Sequence, residues 1–322
     1  MKALVTGGTG FIGSKVVDLL VENGHTVRLF ARKDTLPVQL AGKEVSVFRG
    51  DLQDAGSVVN AMAGMDVFYH IGEVRNISPL AAKKNVQLVE KILGHIDKSG
   101  IKRFIFISSL TVAGIPSTIP ASEETKPKLV PEEHYTAYKK QCEEILASQT
   151  AVEYVIIRPG VVYGSGSRYL GSLVAAVARF GPLGFPFIGK GNNVAPLIHV
   201  KDLSQAIYLA GVRREAAGQT FNITDGLTHS WYDFFKTIAV SLGKKFKLLS
   251  VPTIVLSAPS KIIDFFGDLF HMKFSMNIYV QYVTSDLLFL NDKARHLLNW
   301  EPAYTLEQGV EELVRAYQRK EH

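Results

Sequence analysis

Cysteine is almost missing from this chain, which has one, Cys142, among 322 residues. A single thiol closes no disulfide within the chain and builds no zinc cluster, so a disulfide scaffold and a zinc module are both excluded. So little cysteine in a chain that is 47% hydrophobic is typical of a protein from a reducing compartment, and we expect a cytoplasmic protein.

Long hydrophobic runs and clusters of one charge are missing as well. No apolar run reaches the length of about 18 residues that a membrane span needs. The sequence enters its first strand without a basic leader or a small-residue cleavage site, so we expect no secretion signal. Lys and Arg total 36 against 30 acidic residues and are scattered along the chain. We therefore expect a solvated charged surface and no nucleic-acid partner.

The first half of the chain alternates apolar strands with amphipathic helices. Such a pattern predicts an α/β fold with a doubly wound parallel sheet, covered by helices on both faces. Its ligand crevice is expected at the carboxyl ends of the strands. The predicted strands are Lys2–Thr6, Thr26–Ala31, Glu44–Phe48, Asp66–Ile71, Arg103–Ser108 and Tyr154–Ile157, and the predicted helices are Phe11–Asn23, Asp54–Ala63, Pro79–Ser99 and Glu132–Ser148.

The pattern changes near residue 160, where glycine and proline become frequent. We expect residues 1–160 to form a dinucleotide-binding domain and residues 161–322 to form a smaller substrate-binding lobe. The two are expected to be partly interleaved, because Thr220–Ile223 has the pattern of a strand that returns to the main sheet.

A glycine-rich turn, Thr6–Gly13, joins the first strand directly to the first helix. Gly7 permits the tight turn, Gly10 lets the backbone approach a pyrophosphate, and Gly13 allows the helix to pack closely on the strand. The helix N-terminus presents N–H groups and a partial positive charge to such an anion. We expect a dinucleotide here, in contact with Gly7, Thr9, Gly10, Phe11 and Ile12.

The residues after the second strand predict which dinucleotide binds. Arg32 and Lys33 stand where an acidic side chain would accept the ribose 2′-hydroxyl of NAD. A guanidinium holds a 2′-phosphate through two parallel hydrogen bonds, so we expect NADP(H), with NAD as the alternative. After the third strand, Asp51 and Leu52 are candidates for the adenine end. The alternative for Asp51 is a helix N-cap in the turn before Asp54.

Together these motifs resemble the extended short-chain dehydrogenase/reductase family over nearly the whole chain, which implies a Rossmann-type sheet. The motifs that carry the resemblance are the glycine turn, Asp66–Ile71, Asn85-Val86, Phe106–Ser109, Tyr135–Lys139 as Tyr-x-x-x-Lys, and Arg158–Gly164. Among its cofactor-binding positions the resemblance implies Ile71 and Gly72 after the fourth strand, and Pro159, Val161 and Val162 in the later turn.

The same resemblance implies a catalytic serine, tyrosine and lysine. Tyr135 and Lys139 lie four residues apart on one helix face, and a lysine ammonium beside a phenol is expected to lower the phenol pKa. Tyr135 is then the general acid and base, Lys139 also holds the nicotinamide ribose, and Ser109 donates to the substrate oxygen. Ser108 competes for the serine role. Glu73 stands where the family has a small apolar residue, and it either contacts the substrate or faces water.

Several features of nucleotide-sugar enzymes are replaced in this chain. Val161 stands where their substrate asparagine is usual, and Ala195 stands where an arginine would pair with the substrate pyrophosphate. Arg168 and Arg179 are the remaining candidates for that pairing. Sugar dehydratases have an Asp-Glu pair after the catalytic hydroxyl residue, where this chain has Leu110-Thr111, so water elimination is not expected.

The second half is more similar to the branch with dihydroflavonol reductases and 3β-hydroxysteroid dehydrogenases. That resemblance is carried by Phe221–Gly226, Trp231, Phe234-Phe235 and the apolar segment Val251–Phe270. Its aromatic residues either line a pocket for a flat or lipid-like ketone or belong to an ordinary core. A further alternative is that Ile262–Phe274 lies on a membrane surface as a peripheral contact.

The resulting expectation is an NADP(H)-dependent oxidoreductase that interconverts a ketone and a secondary alcohol on a hydrophobic small molecule. The enzymatic alternative is an epimerase that retains its dinucleotide, and the second alternative is a non-catalytic NADP(H)-binding protein. The resemblance also implies a homodimer through the two long helices near residues 79–99 and 132–149.

Overall fold

Seven parallel strands form the central sheet of the computed structural model; when they are numbered along the chain, they lie across the sheet in the order 3-2-1-4-5-6-7. The structure describes residues 1–33, 40, 42, 44–74, 78–130, 133–252 and 276–321, without the side chains of residues 168, 169, 276–278, 320 and 321. The sheet strands are β1 (Lys2–Thr6), β2 (Thr26–Ala31), β3 (Val45–Arg49), β4 (Val67–His70), β5 (Arg103–Ile107), β8 (Glu153–Pro159) and β12 (Gln219–Ile223).

Helices cover both faces of this sheet. They are α1 (Phe11–Glu22), α2 (Ala55–Met62), α3 (Pro79–Ser99), α4 (His134–Ser148) and α6 (Val200–Val212). The prediction of a doubly wound parallel sheet is confirmed. The boundaries of these strands and helices lie within two residues of the predicted ones, except for α6, which was not predicted. β12 pairs with β8 from Gln219–Val155 to Ile223–Pro159, so the second half of the chain does return to the main sheet.

The hydrophobic core forms two layers, one on each face of the sheet, because successive side chains of a strand point to opposite faces. Ala3 and Val5 pack with α1 and α6 on one face, where Val17 and Ile207 are fully buried. Leu4 packs on the other face with α2, α3 and α4. The near-continuous apolar strands of the sequence follow from this double burial.

Local signals fix where the helices begin and end. The Ser78 side chain caps α3 by accepting the Ala81 N–H, with Pro79 in the first turn, and Gly100 ends the helix in a left-handed conformation. Serine is favoured before a helix because its hydroxyl accepts an unpaired N–H, and proline is favoured in the first turn because it has no N–H to pair. Glycine is favoured at the end because it adopts the left-handed conformation without strain. The Asp54 side chain accepts the Gly56 N–H and caps α2, and the Glu133 side chain accepts the Thr136 N–H and caps α4.

A smaller lobe stands beyond the carboxyl ends of the strands. The helix α9 (Asp292–Leu298) packs against the central sheet, where its Ala294 and Leu298 are buried in the same core as α6. The helices of the smaller lobe are α5 (Arg168–Phe180), α7 (Trp231–Ser241), α8 (Met276–Val283) and α10 (Leu306–Glu321). Three two-stranded sheets accompany them: β6 (Ile115–Pro116) with β7 (Pro127–Leu129), β9 (Val161–Tyr163) with β11 (Leu197–His199), and β10 (Phe185–Ile188) with β13 (Leu248–Val251). The sequence analysis did not predict these short pairs, which have too few residues for a clear period. An aromatic cluster around Phe185, Trp231 and Phe235 forms the core of this lobe.

Candidate active site

One large cleft of about 1850 Å³ runs from the glycine-rich turn, past the carboxyl ends of the strands, into the smaller lobe. This is where a parallel doubly wound sheet holds its ligands. Every catalytic and cofactor-binding candidate of the sequence analysis except Lys33 lines it. They are Gly7, Thr9, Gly10, Phe11, Ile12, Arg32, Asp51, Leu52, Ile71, Gly72, Ser109, Tyr135, Lys139, Pro159, Val161 and Val162.

The glycine-rich turn has the shape that a dinucleotide needs. Gly7 has a φ of +72°, and a Cβ there would lie 2.5 Å from the Gly72 nitrogen. A Cβ on Gly13 would lie 2.3 Å from the Gly7 carbonyl oxygen, so α1 approaches the turn more closely than any side chain allows. Gly10 caps α1 without a side-chain hydrogen bond, and the first N–H groups of a helix have no partner within it. These donors at a bare turn fit a pyrophosphate.

The adenosine end of the predicted site lies beside β2 and β3. Arg32 is exposed, follows β2 directly and lines the cleft. The Asp51 carboxylate lines the cleft too, and its Oδ1 accepts the Gln53 N–H at 2.9 Å. Asp51 therefore caps the turn that leads to Asp54, whereas the N-cap of α2 itself is Asp54.

Ser109 and Tyr135 meet through their hydroxyl groups. Ser109 begins a short 3-10 turn after β5, and the Tyr135 side chain from α4 is hydrogen-bonded to it. Ser108, the competing serine, is buried and donates its hydroxyl to Glu143, which is also ion-paired with Arg158. Of the two serines, Ser109 is thus the one in contact with the tyrosine.

Lys139 lies one helical turn after Tyr135 and is only 5% exposed. Its Nζ donates to the Ile107 carbonyl oxygen at 2.7 Å and lies 3.5 Å from Oε2 of Glu73. The ammonium also lies 5.7 Å from the ring centroid of Tyr135 and 5.1 Å from that of Tyr138. α4 therefore presents one buried cation between two phenols.

The electrostatics of Tyr135 differ from the sequence expectation of a phenol acidified by its lysine. Burial raises the pKa of Tyr135, and the Glu73 carboxylate raises it further, while the hydrogen bond with Ser109 acts in the opposite direction. The larger cause is the burial of the phenol, and the second is the Glu73 carboxylate, whose position the sequence did not reveal. In the free protein Tyr135 is accordingly a protonated phenol at neutral pH.

Glu73 is the site residue whose role the sequence left open. Oε2 of Glu73 accepts a 2.5 Å hydrogen bond from the Tyr138 hydroxyl, in addition to its contact with Lys139. Its side chain is 28% exposed and lines the cleft. A carboxylate directly after a buried strand that ends at the crevice was the available signal, but only the folded chain brings it to α4.

Aromatic and aliphatic residues line the far end of the cleft, in the smaller lobe. Trp231, Phe234 and Phe235, which the sequence analysis assigned either to a pocket or to a core, do both: they line the cleft and belong to the buried cluster of the lobe. Further lining residues there are Leu173, Phe185, Phe187, Tyr279, Tyr282, Val283, Leu287 and Phe289. The indole N–H of Trp231 is buried without a hydrogen-bond partner among the described residues.

Cations are missing from this end of the cleft, as far as its described lining residues show. Ala195, at the position of the substrate arginine, is fully buried. Arg179 does not line the cleft, and its guanidinium lies 5.4 Å from the Phe180 ring centroid. The Arg168 side chain lies outside the described residues, as does nearly all of the apolar segment 251–274. None of the helices in the described part of the chain is long and apolar enough to cross a membrane.

The known proteins similar to this chain include epimerases and steroid dehydrogenases. UDP-glucose 4-epimerase of Vibrio cholerae is 29% identical over 98% of this chain and 94% of its own length. The 3-beta-hydroxysteroid dehydrogenase of Mycolicibacterium neoaurum is 26% identical over 98% of this chain and 91% of its own. Among solved structures, the UDP-glucose 4-epimerase of Thermotoga maritima with UDP-glucose superposes with a TM-score of 0.77 at 24% identity, over the full length of both chains.

The family model of the NAD dependent epimerase/dehydratase family matches residues 3–224. This match covers the central sheet from β1 to β12, the glycine-rich turn and the Tyr-x-x-x-Lys helix. The expected resemblance to extended short-chain dehydrogenases/reductases is thereby confirmed. The chain belongs to the NAD dependent epimerase/dehydratase family and is an NAD(P)-dependent oxidoreductase that acts on CH–OH groups.

Proposed function

We propose that this protein is an NADP(H)-dependent oxidoreductase that interconverts a ketone and a secondary alcohol on a hydrophobic small molecule. The observation that carries the proposal is the far end of the cleft. Its described lining is aromatic and aliphatic and contains no lysine or arginine. A nucleotide-sugar pyrophosphate would lose its strongest partners there, whereas a flat or lipid-like ketone buries apolar surface against these rings.

For the cofactor, we assign the glycine-rich turn and the N-terminus of α1 to the pyrophosphate. Arg32 is assigned to a 2′-phosphate, because a guanidinium pairs with phosphate in a bidentate way and the two residues directly after β2 are the cations Arg32 and Lys33. Lys139 is assigned to the nicotinamide ribose. Once bound, the cofactor supplies or accepts the hydride, and the chain's own residues handle the proton.

Tyr135 is proposed as the residue that donates this proton to the substrate oxygen during reduction. Burial and the Glu73 carboxylate raise the pKa of Tyr135, so its proton is in place at neutral pH. The Ser109 hydroxyl, already in contact with Tyr135, is proposed to donate a second hydrogen bond to the same oxygen. Two donors fixed on one atom hold the carbonyl where charge develops.

An epimerase of nucleotide-linked sugars is the second candidate, and it is supported by the similarity to the Vibrio cholerae enzyme over nearly the whole chain. Such an enzyme oxidises and re-reduces one carbon, so it keeps its dinucleotide through both half-reactions. Only a pyrophosphate partner outside the described residues, such as the Arg168 side chain, would serve it here.

The test compares steroid, flavonoid and long-chain ketones with UDP-glucose and UDP-galactose. For the proposed function, NADPH absorbance falls with at least one apolar ketone, and the purified protein releases its dinucleotide on gel filtration. Sugar interconversion by protein that carries a tightly held dinucleotide, with no net NADPH turnover on any ketone, would refute it in favour of the epimerase.

A further inference from the structure

Glu73 and Lys139 form an ion pair at the cleft that the assigned roles of serine, tyrosine and lysine do not use. Oε2 of Glu73 lies 3.5 Å from the buried ammonium and accepts the Tyr138 hydroxyl at 2.5 Å. The Tyr138 ring in turn meets the Tyr135 ring edge-on, with centroids 5.4 Å apart. One carboxylate thus contacts both the lysine and the Tyr138 hydroxyl, and the Tyr138 ring packs against Tyr135.

The backbone around Glu73 is held from two sides. Asn85 of α3 is buried, accepts the Val74 N–H at 2.8 Å and donates to the Val74 carbonyl oxygen at 3.2 Å. On the other side, the Gly72 N–H donates to the Thr6 carbonyl oxygen at 3.1 Å, which ties this segment to the glycine-rich turn. The carboxylate therefore has a defined place, and it is not a mobile surface charge.

We propose that Glu73 is the counter-ion of Lys139 and acts as a positioning residue that keeps Tyr135 protonated, which sets the site for carbonyl reduction. This inference rests on the proposed function, since it assigns a preferred direction to that reaction. It also gives the second tyrosine a role: Tyr138 donates its proton to Glu73 and holds the carboxylate against Lys139.

The physical reason is the sign of the charges around the phenol. A lysine alone would favour phenolate, whereas a carboxylate beside it favours the neutral form. Burial, which disfavours phenolate, acts in the same direction as Glu73 and is the larger cause of the raised pKa of Tyr135. The Tyr138 pKa is also raised by burial and Glu73, so Tyr138 remains a hydrogen-bond donor over the working pH range.

Other titratable groups near this pair come from each element that packs against it. Burial and the charge of Lys139 lower the pKa of His70, on β4, to about 3, and burial raises the pKa of Cys142, on α4, to about 12. Burial raises the pKa of Glu133, which caps α4 and faces Tyr135. The remaining neighbours are His134, which lines the cleft, and Glu143, which is paired with Arg158. None of these residues is itself substituted in the variants compared below.

The first measurement needs no substrate. It is a double-mutant cycle of Glu73→Gln and Lys139→Met, followed by urea unfolding. Removing the carboxylate leaves a buried ammonium without its anion, so Glu73→Gln lowers the urea concentration at the midpoint of unfolding when Lys139 is present. In the Lys139→Met background the same substitution changes this midpoint much less. Equal losses in both backgrounds would show that Glu73 is not the counter-ion.

The second measurement is the pH profile of kcat/KM with an apolar ketone that the enzyme reduces, and with its alcohol. Reduction requires the protonated phenol and is lost as the pH rises through its apparent pKa. Without the carboxylate this pKa falls, so in Glu73→Gln the loss moves to lower pH by about one pH unit. Alcohol oxidation, which requires phenolate, rises up to about tenfold near neutral pH in the same variant.

Two further variants separate the charge from its surroundings. Glu73→Asp keeps the carboxylate and is expected to retain the wild-type profile. Glu144→Gln, an exposed residue of α4, removes the same charge away from the pair and is expected to change neither measurement. A Glu73→Gln profile that superimposes on the wild type would overturn the inference. If the wild type reduces no ketone at all, the proposed function fails, while the double-mutant cycle still decides the pairing.

Discussion

A substitution at Gly13 tests directly whether the glycine-rich turn binds a dinucleotide. In Gly13→Ala the new methyl group would lie 2.3 Å from the Gly7 carbonyl oxygen and 2.7 Å from the Gly7 carbonyl carbon. Both are backbone atoms, so no side-chain rotation relieves the overlap. Either α1 or the turn must move by about 1 Å before the contact becomes an ordinary one.

The cost of this displacement follows from the close packing between α1 and the sheet. Overpacking by one methyl group costs about 1–3 kcal/mol, part of which the better helix propensity of alanine offsets. For a chain of this length the unfolding entropy is about 0.7 kcal/mol per kelvin, so the Tm is expected to fall by about 1–4 °C. The shifted N–H groups no longer converge on one anion, and dinucleotide affinity is expected to fall at least about tenfold.

Calorimetry gives the Tm, and quenching of tryptophan fluorescence by NADPH gives the Kd. Gly94→Ala is the matched control, because Gly94 lies within α3 and its Cβ would meet nothing within 4 Å. That substitution is expected to stabilise the protein by up to about 1 kcal/mol and to leave binding unchanged. A Gly13→Ala protein with wild-type affinity and wild-type Tm would refute the assignment of the turn.

Three further predictions concern the proposed roles and the support of the site. Tyr135→Phe should lower kcat for ketone reduction by about 10²–10⁴ with NADPH affinity retained, because only the proton donor is lost; unchanged turnover would remove the tyrosine from the mechanism. Arg32→Ala should weaken NADPH binding by about 10–100-fold and leave NADH binding unaffected. Lys33 does not line the cleft, so Lys33→Ala should leave the affinity for both dinucleotides unchanged. Isothermal titration measures these affinities, and an unchanged NADPH affinity in Arg32→Ala would contradict the assignment of Arg32. Glu143→Gln should lower the free energy of unfolding in urea by about 3–5 kcal/mol, because it leaves the Arg158 guanidinium without its buried anion. The control Glu144→Gln changes an exposed residue and should lower it by less than about 0.5 kcal/mol. Similar decreases in both variants would contradict the ion pair.

Local pattern was enough to predict the Rossmann-type sheet. Strands buried on both faces have continuous apolar sequences, and α3 begins and ends at the predicted residues Pro79 and Ser99. The return of β12 to the sheet was also predictable, because it depends on the same apolar pattern. The short pairs of the smaller lobe were not, since two to four residues carry no period and depend on what packs around them.

For the site, sequence spacing brought Tyr135 and Lys139 to one helix face, because four residues make about one turn. The spacing of residues along the sequence did not predict the ion-pair partner of Lys139. Glu73 is 66 positions away from Lys139 and reaches it only because the segment after β4, which Asn85 holds through Val74, lies beside α4. The sign of the pKa shift of Tyr135 therefore depended on tertiary structure, which first buries the phenol and then brings the Glu73 carboxylate near it.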